Sequence, residues 1–364
     1  METDLGEGVR QEQPVTFEVP VVDLAPWVEP AAHDDADRAR VAEQLDDACR
    51  RVGFVQVLGH GVPQAVVDGL AGAMDDFFGL SLGEKAAYVV PANRGYSAPK
   101  SESLSLSLGV EPATRMNDFF EAFNVGIEAR SYAGLALDEA DYGLNVWPEV
   151  PEFRERVEAY FTEAGRVART LLRVFAAALR LPADFFERLT DHSIDVLRMN
   201  NYALPPGEVT LDGDLTGMGE HTDFGLVTVL WADQVAGLQV LGTEGGWHDV
   251  SPVDDALLVN LGDLTARLTN DRWSSTLHRV KPPVVEGRIL RRRSAAYFHD
   301  GNVDAVVATL PSHLDASAWG GEAGSAYGPV TVRDHIAAKL AGSRQGRINV
   351  SAVREAARVL AAQG

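Results

Sequence analysis

Two histidines and one aspartate are the residues of this 364-residue chain whose types and spacing most directly suggest chemistry. His221 and Asp223 stand two positions apart, and His278 follows much later. Because residues two apart on a β-strand share a face, one strand carrying both would present them to the same ion. Two imidazoles and one carboxylate leave coordination positions open, which suits a non-haem Fe(II) site. The intervening chain is long enough to bring His278 back on a facing strand.

A second pair of polar residues, Arg292 and Ser294, follows His278 in the sequence. If residues 292–298 form a strand, Arg292 and Ser294 share one face, and Arg291 and Arg293 point to the other, where water can solvate them. Arginine is the side chain best shaped to grip a carboxylate through two parallel hydrogen bonds. Zinc accepts the same ligand types, but structural zinc usually takes four ligands, often with cysteine. The carboxylate-binding pair therefore favours an iron enzyme that uses an organic diacid.

Several motifs in a fixed order carry a resemblance to one family. They are VPVVD at 19–23, GFVQV at 53–57, HGVP at 60–63, RGY at 94–96, HTDFG at 221–225, NLGD at 260–263, NDR at 270–272, LHRV at 277–280 and RRSAAYF at 292–298. This set resembles the isopenicillin N synthase-like family of Fe(II)/2-oxoglutarate-dependent oxygenases. The resemblance extends over roughly residues 17–300.

The resemblance implies a fold, a co-substrate and a reaction. It implies an α+β chain with a mainly β core, a double-stranded β-helix (jelly-roll) flanked by α-helices. Fe(II) would be held by His221, Asp223 and His278, and Arg292 and Ser294 would hold the distal carboxylate of 2-oxoglutarate. O2 would be consumed, succinate and CO2 released, and an unactivated C–H bond of a small molecule oxidised by hydroxylation, desaturation or cyclisation.

Further binding residues follow from position. Asn200 and Tyr202 share a face of the strand predicted at 195–203 and supply an amide and a phenol that suit an acid co-substrate. The matching family positions contact 2-oxoglutarate, although this chain reads Asn-Asn-Tyr-Ala where plant-type members commonly read Asn-Tyr-Tyr-Pro. Candidate substrate contacts are Arg94, Tyr96, Asn117, Phe224, Phe298 and His299.

Other functions remain open on the sequence. An iron oxidase of the same family that needs no 2-oxoglutarate could place a substrate carboxylate against Arg292 and Ser294. A non-catalytic small-molecule binding protein could use the same scaffold, and a zinc hydrolase is a more distant alternative. Substrate-dependent succinate release separates these alternatives from the leading hypothesis.

Composition limits the class of partner and the compartment. The chain has 32 basic and 53 acidic residues, a formal net charge of −21, which disfavours a nucleic-acid partner because phosphate binding needs a basic face. Its one cysteine, Cys49, is predicted to be buried and excludes an intrachain disulfide. No apolar run is long enough to span a membrane. We therefore expect a cytoplasmic protein with a small-molecule substrate, and the sequence does not indicate an oligomeric state.

The first half of the chain is predicted to alternate helices with short strands. Residues 1–16 are acidic and polar and are expected to form a disordered lead-in. Residues 151–181 carry apolar side chains every three or four positions behind an initial proline, which predicts a long helix backing the barrel. Other predicted helices are 34–52 and 63–80; predicted strands are 17–24, 53–58, 116–125 and 195–203.

After residue 203 the pattern changes to short apolar or alternating runs separated by glycine-rich and aspartate-rich turns, which is typical of a barrel or sandwich. Strands are predicted at 226–231, 238–241, 256–261, 276–280 and 294–298, and helices at 332–340 and 350–362. We find no repeat or linker. The expected organisation is one catalytic domain over 17–364, with an N-terminal portion at 17–128, a jelly-roll core at 195–300 and C-terminal helices at 330–364.

Overall fold

A computed structural model describes residues 17–90, 93–102, 104–108, 118–203, 217–281, 284–285, 288–314 and 324–345. Its α-helices are α1 (Ala25–Val28), α2 (Asp35–Arg51), α3 (Gln64–Phe78), α4 (Leu82–Ala86), α5 (Phe153–Ala178), α6 (Glu187–Thr190), α7 (Asp263–Leu268) and α8 (Val332–Gln345). Four 3-10 turns are Pro30–Ala32, Leu104–Leu108, Ala129–Ser131 and Pro311–His313.

The strands are mostly short and fall largely in the second half of the chain. They are β1 (Val21–Asp23), β2 (Phe54–Leu58), β3 (Gly95–Ser97), β4 (Glu121–Gly126), β5 (Val196–Tyr202), β6 (Met218–His221), β7 (Val227–Ala232), β8 (Leu238–Leu241), β9 (Trp247–Asp249), β10 (Leu257–Leu261), β11 (His278–Val280), β12 (Val284–Val285), β13 (Arg288–Ile289), β14 (Arg292–His299), β15 (Val306–Val307) and β16 (Val330–Thr331).

Two sheets face each other and enclose the centre of the molecule. The major sheet has eight strands in the order β1-β2-β10-β7-β14-β5-β4-β3, and the minor sheet has four in the order β6-β11-β8-β9. Between them lies an apolar cluster that joins Phe54, Tyr202 and Leu258 of the major sheet to Met218 and Val240 of the minor sheet. Together the sheets form a double-stranded β-helix, as expected.

The helices cover the outer face of the major sheet. One large cluster joins Leu45 of α2, Met74 of α3 and Phe175 of α5 to Leu197 and Tyr297 on that face. The helix α5 runs for 26 residues and buries one stripe along its length. Because a stripe of apolar side chains at helical spacing must be covered, the long helix packs against the barrel as its sequence predicted.

Most predicted elements are present, and two differ from expectation. The strand expected at 116–125 is regular only as β4, which begins at Glu121. Residues 118–120 lie outside any regular strand, and residues 116 and 117 lie outside the described ranges. The helix expected at 350–362 also lies outside those ranges. Cys49 is buried in α2, as expected.

Candidate metal and co-substrate site

The three candidate ligands converge at one end of the minor sheet. His221 is the last residue of β6, and it is the direct cross-strand partner of His278, the first residue of β11. The prediction that His221 and Asp223 share one strand is wrong, because β6 ends at His221 and Asp223 lies in the turn that follows. The backbone carbonyl of Asp223 accepts a hydrogen bond from the Asp263 amide at 2.9 Å, which holds this turn beside β6.

The ligand atoms lie close enough to share one ion. One atom each from His221, Asp223 and His278 lies within 4.8 Å of the others, and all three residues are buried. The Oδ1 atom of Asp223 is 3.8 Å from Nε2 of His221 and 3.7 Å from Nε2 of His278. Three oxygen and nitrogen donors around one point leave other coordination positions open to exogenous ligands.

In each candidate ligand, the polar side-chain atom that does not face the shared point lies within hydrogen-bond distance of a neighbouring group. The Nδ1 atoms of His221 and His278 lie 2.8 and 3.1 Å from the carbonyl oxygens of Gly219 and Thr276. Each Nδ1 therefore carries the proton, and each Nε2 lone pair is available to a metal. Burial, and then the neighbouring His278, lower the pKa of His221 well below its ordinary value, so the neutral ring needed for coordination is favoured.

Asp223 is oriented by two residues of the major sheet. Its Oδ2 atom accepts hydrogen bonds from the Asn260 amide at 2.6 Å and from the Thr228 hydroxyl. Its Oδ1 atom is thereby left facing the histidines. In the sequence, Asn260 stands out only as part of the NLGD motif, and nothing marks Thr228. Neither residue type signals metal chemistry by itself, since both roles depend on strands β7 and β10 lying side by side.

A buried ion pair supports the same turn from the C-terminal helix. Lys339 of α8 has its Nζ atom 2.7 Å from Oδ2 of Asp263 and 3.2 Å from the hydroxyl of Thr222, which stands between two ligands. Lys339 is 1% exposed and Asp263 is 3% exposed, so the pair is shielded from water. Asp263 also accepts from the Ser275 hydroxyl at 2.7 Å. This pair connects α8 to the turn that carries Asp223.

Gly225 closes the turn and cannot carry a side chain. A Cβ atom there would lie 1.9 Å from Oδ1 of Asp300 and 2.7 Å from its Cα atom. On another side, the carbonyl of Gly225 occupies the space that a Cβ on Gly262 would take, at 2.1 Å. The glycine of the HTDFG motif is therefore explained by close packing of two chain segments.

We expect Gly225→Ala to destabilise the protein by about 2 kcal/mol, because overpacking a tight site forces backbone displacement. Iron affinity should fall as well, since the displaced turn carries Asp223. Gly328→Ala is the matched control, because a Cβ at Gly328 meets nothing within 4 Å. Urea unfolding and iron titration measure both effects; equal stability of the two variants would contradict this account of the packing.

The predicted carboxylate-binding pair lies on the neighbouring sheet. Along β14, Arg292 and Ser294 are both buried and face the cavity, and they are the cross-strand partners of Tyr202 and Asn200 on β5. The guanidinium of Arg292 lies 5.2 Å from the centre of the Tyr202 ring. Its Nε atom donates to the Val235 carbonyl at 3.3 Å, and its buried Nη1 atom has no partner among the described residues. This donor is free to bind an anion.

The alternation predicted around Arg292 is present. Arg291 is exposed, and Arg293 is half-buried on the outer side, where both pair with Asp75 of α3. Asn200 accepts from Arg198 Nε at 3.1 Å, and Arg198 forms an ion pair with Glu102 at 2.8 Å. Sequence reasoning missed Arg198 and Glu102, because their pairing spans 96 residues and no local pattern marks it.

A cavity with about 1050 Å³ of space, its open mouth included, contains the triad and the arginine. Two candidate substrate contacts, Phe224 and Phe298, line it together with Leu104 and with Ile336 and Leu340 of α8. Asn200, Tyr202, Arg292 and Ser294 also line it.

Three other candidate substrate contacts are not among the residues that line the cavity. Arg94 donates to the carbonyls of Asn93 and Ile127 at 2.8 and 3.1 Å, and its guanidinium lies against Gly126. Tyr96 donates to Glu121 at 2.6 Å on the helix side of the sheet. His299 lies 2.7 Å from Asp195, also on that side, because strand alternation places residue 299 opposite residue 298. A role in substrate binding therefore stays a prediction for these three residues, and Asn117 lies outside the described residues.

Comparison with known protein families agrees with this geometry. The N-terminal model described as "non-haem dioxygenase in morphine synthesis N-terminal" matches residues 19–150. The 2OG-Fe(II) oxygenase superfamily model matches residues 194–301, which contain all three candidate ligands and Arg292. Together these two models define the class as a 2OG-Fe(II) oxygenase.

Relatives of known name narrow the class to a family. The chain is 35% identical to the 2-oxoglutarate-Fe(II) type oxidoreductase hxnY of Emericella nidulans, over 87% of this chain and 88% of that protein. It is also 35% identical to validamycin A dioxygenase of Streptomyces hygroscopicus subsp. limoneus, over 84% of this chain and 82% of the relative. The protein belongs to the isopenicillin N synthase-like family of Fe(II)/2-oxoglutarate-dependent oxygenases. It is a non-haem dioxygenase whose cofactors are Fe(II), 2-oxoglutarate and O2.

Solved structures agree with the fold. A 2OG-Fe(II) oxygenase family protein from Caulobacter crescentus superimposes with a TM-score of 0.74 at 26% identity, over 89% of this chain and 99% of that one. The dioxygenase for auxin oxidation in rice has the same fold, with a TM-score of 0.67 at 26% identity, over 93% of this chain and 99% of the rice chain. Among the described residues, no helix has the length and apolar character needed to cross a membrane.

Proposed function

We propose that His221, Asp223 and His278 bind the Fe(II) ion of this dioxygenase. The observation that carries this proposal is the convergence of two Nε2 atoms and one carboxylate oxygen whose companion polar atoms are all engaged elsewhere. A set of three such ligands fits Fe(II) and leaves positions for 2-oxoglutarate and O2. When bound, the iron and 2-oxoglutarate would activate O2, which supplies the oxidising equivalents for a C–H bond.

We propose that Arg292, Ser294 and Tyr202 hold the distal carboxylate of 2-oxoglutarate, with Asn200 beside them. The buried Nη1 donor of Arg292 supports this assignment. A buried cationic donor without a partner destabilises the protein, and a bound anion would supply the missing hydrogen bond. The Tyr202 ring packs against the guanidinium and helps to orient its planar face. The arginine therefore positions the co-substrate and takes no part in bond cleavage.

The remaining lining residues orient the organic substrate and exclude water. Leu104, Phe224 and Phe298 offer apolar surface, and α8 adds Ile336 and Leu340. Apolar walls around a reactive centre reduce side reactions with solvent and hold a substrate C–H bond close to the metal. We propose a small molecule of specialised metabolism as the substrate, in a cytoplasmic reaction.

We propose that residues 17–364 form one catalytic domain. The apolar cluster under the major sheet includes Leu45 and Met74 from the N-terminal portion, Tyr297 from the jelly-roll and Val332 from α8. The cavity likewise takes residues from all three portions. A division into separately folding parts would expose this shared core to water.

Substrate-triggered succinate formation tests the function. The purified protein, loaded with Fe(II) and 2-oxoglutarate in air, should release succinate at a higher rate when a panel of small metabolites contains a substrate. Oxidised product without succinate would indicate a 2-oxoglutarate-independent oxidase. Binding without any iron-dependent turnover would indicate a non-catalytic binding protein.

Arg292→Lys should raise the KM for 2-oxoglutarate at least about tenfold, because a lysine cannot reproduce a two-pronged guanidinium contact. The iron affinity should be preserved, since Arg292 is not a candidate ligand. Arg291→Lys is the matched control: that arginine is exposed and pairs with Asp75 outside the cavity. A KM that does not change in Arg292→Lys would remove the arginine from the co-substrate site.

A further inference from the structure

Asp300 is an acidic residue of the cavity that is proposed to bind neither the metal nor the co-substrate. It follows β14 directly, lines the cavity, and its carboxylate has no hydrogen-bond or ion-pair partner among the described residues. The other acids of the cavity are occupied: Asp223 is held by Asn260 and Thr228, and Glu102 pairs with Arg198. Asp300 is therefore the acid that remains available to a ligand.

Its position along the sheet separates Asp300 from the co-substrate. The cavity-facing residues of β14 run in the order Arg292, Ser294, Ala296 and Phe298, and Asp300 follows. At about 3.3 Å per residue, Arg292 and Asp300 stand roughly 26 Å apart along the backbone. A five-carbon diacid held at Arg292 does not span that distance. Thr228, which orients Asp223, is paired with Phe298, so Asp300 lies on the metal side of the cavity.

The charges near Asp300 favour a cation. Burial, and then the carboxylates of Asp195 and Asp223, raise the pKa of Asp300 well above its ordinary value. Asp195 is already satisfied by Ser193, Tyr297 and His299. Of the two arginines that line the cavity, Arg292 lies at the far end of β14 and Arg198 pairs with Glu102. A basic nitrogen that enters beside Asp300 would favour the ionised form of this carboxyl and gain a charge-assisted hydrogen bond from it.

We propose that Asp300 binds a basic nitrogen of the substrate, an amine or a guanidine, while Phe224 and Phe298 contact the adjoining carbon skeleton. This proposal rests on the proposed function, because it assigns the substrate end of the same cavity. Asp300 is a recognition residue: it sets which molecules enter with a C–H bond near the metal. The substrate class is thereby narrowed to small basic metabolites.

Binding of matched amines and alcohols tests the proposal without requiring turnover. Calorimetry on the anaerobic protein loaded with Fe(II) and 2-oxoglutarate would compare butylamine with butanol, benzylamine with benzyl alcohol, and phenethylamine with phenethyl alcohol. At least one amine should bind about tenfold more tightly than its alcohol, and Asp300→Asn should abolish that preference. Equal affinities within every pair, including no measurable binding, would overturn the proposal.

Control variants separate recognition from folding. Asp304→Asn makes the same change four positions later at an exposed residue that pairs with His192, and it should keep the amine preference. A thermal melt shows whether Asp300→Asn is folded, and if it is not, the amine preference of the unaltered protein still decides the question. Failure of the proposed function would show instead as absent succinate formation, which this binding measurement does not use.

Discussion

Replacement of Asp223 by alanine is expected to abolish turnover. The variant loses the only carboxylate of the triad, and two neutral histidines do not hold Fe(II) against water and buffer. Changes to groups that merely support a ligand cost 10–100-fold, so loss of the ligand itself should lower succinate formation by at least about a hundredfold. The fold should persist, because the backbone of residue 223 still accepts from the Asp263 amide.

Iron content and succinate release measure this prediction together. Asp249→Ala is the matched control, because Asp249 is an exposed aspartate at the end of β9 that contacts Gln239 rather than the triad. The control should bind one Fe(II) per chain and retain its rate. If Asp223→Ala kept both stoichiometric iron and normal turnover, the proposed metal centre would be refuted.

The second large effect concerns the buried pair between Lys339 and Asp263. Lys339→Met keeps the length of the side chain and removes its charge, so Asp263 loses the cation 2.7 Å away. Breaking a buried ion pair by removing one partner costs about 3–5 kcal/mol. We expect that loss of unfolding free energy in urea, together with weaker iron binding, because Thr222 loses its contact with Lys339 next to the ligands.

The pH dependence of that loss identifies its cause. Burial alone would raise the pKa of Asp263, but Lys339 and His335 hold it below its ordinary value. A lowered pKa contributes stability above the unfolded pKa of about 3.9, and that stability disappears as the pH falls through the folded pKa. The difference between Lys339→Met and the unaltered protein should therefore be largest near neutral pH and shrink in acid.

Two further variants test the same pair. Asp263→Asn combined with Lys339→Met should recover part of the lost stability, because the uncompensated charge is gone. Lys281→Met is the control, since Lys281 is exposed at the end of β11. A destabilisation that did not vary with pH, or that the double variant did not relieve, would assign the loss to packing alone.

The sequence alone indicates candidate residues at positions where the proposed chemistry allows few side-chain types. Histidine and aspartate at the triad, and arginine at position 292, are recognisable because few side chains can perform those tasks. The period-two pattern also correctly separated Arg292 from Arg291 and Arg293. The same pattern, carried to the end of β14, places His299 on the helix side of the sheet beside Asp195.

Residues that act through tertiary contacts left no comparable signal. Thr228 and Asn260 orient Asp223 only because β7 and β10 are neighbours, and Lys339 reaches Asp263 only because α8 passes the first residue of α7. The end of β6 at His221 was equally hidden, since the turn depends on hydrogen bonds from residues far along the chain. Local patterns report periodicity and ligand type, whereas these contacts depend on strand order and helix docking.

Two kinds of chain segment line the cavity. The proposed metal ligands and Arg292 belong to strands or turns joined by backbone pairing. Part of the cavity wall comes instead from the turn Leu104–Leu108 and from α8, which pack on each other. Changes of shape in those two segments can alter which compound is accepted without moving a ligand. Gene duplicates with this architecture can therefore diverge in selectivity while inheriting an intact oxidation centre.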